Sequence, residues 1–132
     1  MAVRSNLNAR AIESEGWNCA EQVWVAVNLS DRTLYLCAVY IAPDRVRDND
    51  LIETHCRSVF TIMEKATPVD ELIVLGDFNL AGISWKPSHS GFLYPDPTRS
   101  VFHTGSVNLL DNYSAATLSQ INHIVNENNR SL

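Results

Sequence analysis

The sequence predicts a mixed fold, α/β or α+β, in which a sheet is covered by helices. Three observations predict it. Two β-rich apolar runs, 23–27 and 33–41, are joined by a short polar turn. An apolar pattern at helical spacing then runs for about four turns. A third apolar run, 71–75, ends at a glycine. Strand, strand, helix, strand is an order that layered sheet–helix domains use.

The elements follow in turn. Residues 1–22 carry no clear pattern beyond a turn signal at Glu15-Gly16 before Trp17. Val23-Trp24-Val25-Ala26-Val27 reads as a strand, and Asn28 to Arg32 supply turn chemistry. Thr33 to Ile41 read as the partner strand of an antiparallel hairpin, stopped by Pro43. Both runs are apolar almost throughout, so the sheet is expected to be covered on both faces. Asp48-Asn49-Asp50 offers three candidate N-caps. Behind them Leu51, Ile52, His55, Cys56, Val59, Phe60 and Met63 share one helical face, and Glu53, Arg57, Glu64 and Lys65 the other. The helix ends before Pro68. Glu71 to Leu75, followed by Gly76, read as a central strand. Residues 80–105 hold three glycines and three prolines and read as a long loop anchored by Trp85, Phe92, Tyr94 and Phe102. Ser106 is the expected cap of a second helix to about Leu118, with Val107, Leu110, Tyr113 and Ser114 inward. Ile121 to Val125 offer a short strand.

Composition bounds the function. The chain has 132 residues, 45% hydrophobic and 19% charged, which is globular composition and a ceiling of one domain. Its net charge of −5 excludes a nucleic-acid binder that works by bulk positive charge. No apolar run is long enough to span a membrane, and the first residues hold no secretory signal. Cys19, Cys37 and Cys56 match no zinc or redox spacing and read as buried free thiols of a reducing compartment. The expected location is therefore intracellular, nuclear or cytoplasmic, without secretion. Three glycosylation sequons read as chance matches.

The segment with chemistry is Ile73-Val74-Leu75-Gly76-Asp77-Phe78-Asn79. Strand alternation places Asp77 and Asn79 on one side and Phe78 on the other, toward the core. A carboxylate accepts a proton from water, and a carboxamide both donates and accepts. Strand carboxyl ends are where layered sheet folds expose such groups. Read without their neighbours, Gly76-Asp77 and Asn79 are first of all a turn, and Tyr40 first of all a buried strand aromatic.

The longer string resembles the endonuclease/exonuclease/phosphatase superfamily. Gly76-Asp77-Phe78-Asn79 follows Leu72 to Leu75 and precedes Leu80-Ala81-Gly82-Ile83-Ser84-Trp85. In that form it is similar to the apurinic-type endonuclease domain of non-LTR retrotransposons. Val39-Tyr40-Ile41-Ala42-Pro43 resembles the family's V-Y-x-x-P segment. Glu21 to Val25, Leu109-Leu110-Asp111 and Leu118 to Asn122 match in order and approximate spacing. The resemblance implies a four-layered sandwich with two packed sheets, truncated here at both ends, so that residues 1–132 are one incomplete domain. It implies hydrolysis of DNA phosphodiesters with Mg²⁺, with DNA and a downstream reverse transcriptase domain as partners and no membrane. Asp77 matches the aspartate that orients or deprotonates water. Asn79 matches the asparagine on the scissile phosphate, and Tyr40 the tyrosine whose hydroxyl approaches it.

Departures set the alternatives. The family's early asparagine, metal-binding glutamate, late aspartate and Ser-Asp-His end motif have no counterpart in this chain. Glu13, Glu15 and Glu21 lack the ligand context, and His89, His103 and His123 lack the Ser-Asp-His neighbourhood. His55 falls on a helix's apolar face, as a satisfied, partly buried histidine does. The alternatives are an inactive remnant or interaction module, and a phosphatase of the same superfamily. Arg45, Arg47 and Lys86 are candidate phosphate contacts or solvated surface charges.

Overall fold

A computed structural model describes residues 7–13, 20–80 and 82–121. One four-stranded sheet holds β1 (Ala9–Ile12), β2 (Glu21–Asn28), β3 (Thr33–Tyr40) and β4 (Glu71–Asp77), in that order. The first three pair antiparallel, and β4 lies parallel to β3. The parallel step needs a crossover, and α1 (Asn49–Lys65) makes it. A two-stranded sheet of β5 (Trp85–Pro87) and β6 (Leu93–Pro95) precedes α2 (Thr104–Ala115).

The hairpin forms where turn chemistry meets β-branched and aromatic runs. Leu29 N–H donates to the Arg32 carbonyl at 2.8 Å and closes the turn. Asp70 then ties the amino ends of β3 and β4 together. Its carboxylate accepts from Thr33 N–H at 2.6 Å and Thr67 N–H at 2.7 Å. These hydrogen bonds, that from Thr67 foremost, hold its pKa below the usual value. α1 starts at Asp48, whose side chain accepts from Leu51 N–H at 3.1 Å, and stops before Pro68 as expected.

Both helices pack on the same face of the sheet. Trp24, Ala26, Tyr35, Cys37 and Val39 meet Leu51, Ile52, Cys56, Val59, Ile62 and Leu109 in one core cluster. The other face differs from expectation. Val25 and Val27 are buried, but Val23, Ile73 and Leu75 are 48%, 37% and 52% exposed. Both faces were expected to be covered; at β4 only the helix face is, because α1 and α2 are layered together. Among the described residues, no helix is long and apolar enough to cross a membrane.

Four further expectations change. β1 arises within the stretch that showed no pattern. The 80–105 segment is not structureless, since β5 and β6 pair within it. Of its four aromatics only Trp85 is half-buried; Phe92, Tyr94 and Phe102 are exposed. α2 is capped at His103 rather than Ser106, and Leu109 is its deeply buried side chain, while Val107 and Ser114 face outward. Cys37 and Cys56 are buried free thiols, and burial pushes their pKa values up to about 12 and about 11. Cys19, His123, the Glu15-Gly16 turn and most of the 121–125 strand lie outside the described residues; Gln120 bridges to Leu93.

Candidate functional site

Parallel strands end on the same edge of a sheet, so β3 and β4 deliver their last residues together. Tyr40 and Asp77 are direct register partners. Ile41 N–H donates to the Asp77 carbonyl at 2.9 Å and seals the pairing. Gly76 permits the fit. A Cβ on it would lie 2.0 Å from the Val39 carbonyl oxygen, so any side chain there would drive the strands apart.

The chain then turns. Asn79 has φ 48°, the left-handed region that asparagine tolerates better than most residues. Its N–H donates to Asp77 Oδ1 at 3.1 Å, which is a local Asx turn. Its Nδ2 donates to the Ile41 carbonyl at 2.8 Å, across 38 positions of sequence. Strand alternation past Asp77 therefore does not hold, since β4 ends there. The turn and the site are the same object: the turn hooks Asn79 back onto β3 beside Tyr40 and Asp77. Phe78 does point inward, with its ring 5.9 Å from Tyr113 at 88°.

Tyr40 is 42% exposed, and Asp77 is exposed beside it. The corner can do simple chemistry. Asp77 keeps Oδ2 without a partner among the described residues and can accept a proton from water. Asn79 spends one N–H on Ile41 and has a second to offer, along with Oδ1 as acceptor. Tyr40 brings a hydroxyl.

Two features were not legible in the sequence. The first is Glu21, which pairs in register with Tyr40. Glu21, Tyr40 and Asp77 therefore form one row across three strands, on one face. The row becomes visible only when the hairpin register is known. The second is a buried polar chain behind the corner. His55 Nδ1 lies 2.7 Å from Gln22 Oε1, and His55 Nε2 lies 2.6 Å from Tyr113 Oη. Ser58 Oγ accepts from Trp24 Nε1 at 3.1 Å. Burial lowers the His55 pKa to about 4, so the ring is neutral. The same burial raises that of Tyr113. The one sequence signal was a histidine on an apolar helix face; its two nitrogens are satisfied as expected, and it is fully rather than partly buried.

Mg²⁺ at phosphate sites is commonly held by one or two carboxylates, with water and phosphate oxygens completing its shell. Among the described residues, no three His, Cys, Asp or Glu groups converge. Asp77 supplies one carboxylate, and Glu21 stands two strands away, about 10 Å at ordinary strand spacing. Beside the corner, Asn79 also lines a cavity of about 560 Å³ shared with Arg47 and His103. His89 is exposed and lies on the turn between β5 and β6. Compared with protein-family models, curated proteins and solved structures, the chain matches none.

Proposed function

We propose that the chain engages a DNA phosphodiester at the Tyr40–Asp77–Asn79 corner and hydrolyses it, as a retrotransposon-type endonuclease domain of the endonuclease/exonuclease/phosphatase superfamily. The observation that carries this reading is the register pair Tyr40–Asp77 with Asn79 hooked to Ile41. Residues picked out by resemblance on two separate segments, Tyr40 on one and Asp77 with Asn79 on the other, meet at one exposed strand end. In this reading Asp77 Oδ2 takes a proton from the attacking water, which bonds to phosphorus as the bond to one ester oxygen breaks, and that oxygen leaves with a proton from solvent. Asn79 donates its remaining N–H to a phosphate oxygen, and the Tyr40 hydroxyl donates to another. The four-layered sandwich belongs to the same reading, with a second sheet on the open face of β4.

A supercoiled plasmid incubated with Mg²⁺ tests it. Wild type is expected to nick, and Asp77→Ala to lose on the order of 10²–10⁴ in rate, the usual contribution of a positioned general base. Equal background from both proteins would overturn hydrolysis. It would favour the second reading, a catalytically silent interaction module. The exposure of Ile73 and Leu75 on β4 supports that one.

A further inference from the structure

Three basic side chains, Arg45, Arg47 and Lys86, are candidate phosphate contacts by sequence, and the structure separates them. Arg45 is committed to Asp48 at 2.7 Å, and that hydrogen bond is the main cause of its raised pKa. Lys86 pairs with Asp96 at 3.6 Å and sits 5.0 Å above the Tyr94 ring. Arg47 has no ion pair or hydrogen bond to its side chain among the described residues. It lines the 560 Å³ cavity together with Asn79, Val101, His103 and Ser106. Asp44 lines it too, but the charge of Asp44 also acts on Arg45, weakly beside that of Asp48.

The cavity has a fixed wall. A Cβ on Gly105 would lie 2.2 Å from the Val46 carbonyl oxygen, so the 43–47 loop rests directly on the first turn of α2. Arg47 is thus presented from a loop that packs against a helix. Asn79 lines the same cavity and belongs to the corner as well. In a chain of net charge −5, an anion needs a local unpaired cation to stay. Arginine suits phosphate because its planar fork matches two oxygens at once.

We propose that this cavity is a phosphate subsite for a nucleic-acid strand, with Arg47 as its cation and the neighbouring phosphodiester at the Tyr40–Asp77–Asn79 corner. The proposal rests on the nuclease reading and names where the strand continues. The test is binding of a fluorescein-labelled DNA duplex by anisotropy, in EDTA so that no hydrolysis intervenes, across a salt series. Arg47→Ala is expected to weaken binding about threefold or more and to reduce the salt slope by about one. Arg47→Lys recovers part of the loss. Arg57→Ala, whose arginine pairs with Glu53 on the outer face of α1, binds like wild type. Circular dichroism confirms that each variant is folded. The proposal is overturned if Arg47→Ala matches wild type, or if wild type does not bind the duplex. The two ideas fail separately. Arg47-dependent binding with no Asp77-dependent nicking keeps the subsite and removes hydrolysis. Asp77-dependent nicking with Arg47→Ala binding normally does the reverse.

Discussion

His55 holds its position by three contacts at once, to Gln22, to Tyr113 and edgewise to the Tyr113 ring at 5.9 Å. Its proton balance sets a pH dependence. The unfolded imidazole titrates near 6.5 and the folded one near 4, so between these values the unfolded chain binds more protons. Stability from this group is complete above about pH 6.5 and is lost as pH falls toward 4, by about 3 kcal/mol in all. Melting temperatures of wild type and His55→Gln across that range check it: the wild-type curve falls more steeply on the acid side. Parallel curves would refute the assignment. At this scale the sequence named Tyr40, Asp77 and Asn79 by resemblance, and His55 by its place on a helix face. It could not show Glu21 beside Tyr40, because neighbours across a sheet depend on register, which is a property of two strands and their turn.

Among the elements, α1 was legible and α2 only in outline, for a physical reason. α1 has a strong apolar stripe, an aspartate cap and a proline stop, each pointing to the same boundaries. Asp48→Ala removes both the cap and the Arg45 ion pair and is expected to cost about 1 kcal/mol. A lower urea midpoint with unchanged slope shows it, and no change in midpoint would contradict it. In α2 the residues Thr104-Gly105-Ser106-Val107-Asn108 are small, polar or isolated, so the pattern leaves its phase open. Contact decides instead: Gly105 fits under Val46, and Leu109 reaches the core. β1 escaped notice because Ala9-Arg10-Ala11-Ile12 holds one large apolar residue, and its pairing with β2 supplies what its own side chains do not.

Across the whole molecule, the sheet is covered by helices on one face and carries exposed Val23, Ile73 and Leu75 on the other. Near-continuous apolar runs in β2 and β3 predict burial on both sides. That inference holds for Val25 and Val27 and fails toward β4, the strand at the sheet's edge. Composition cannot distinguish a strand covered within its own chain from one left open, since both need the same side chains.

The bond from Ile41 N–H to the Asp77 carbonyl has a consequence for dynamics. The β2–β3 hairpin closes over a short turn, whereas β4 pairs with β3 across the α1 crossover. Contacts that close a longer loop open more readily as a separate cooperative unit. The Ile41 amide proton sits at the last rung of that longer-range pairing, so its exchange with deuterium reports the opening and closing of the corner itself. Gly76→Ala, which sets a methyl group against the Val39 carbonyl, is expected to speed exchange at Ile41 while the hairpin amides keep their protection. Uniform acceleration over the whole sheet would mean that the corner has no opening of its own. A local response would make one backbone proton a direct clock for when Tyr40 and Asp77 stand side by side.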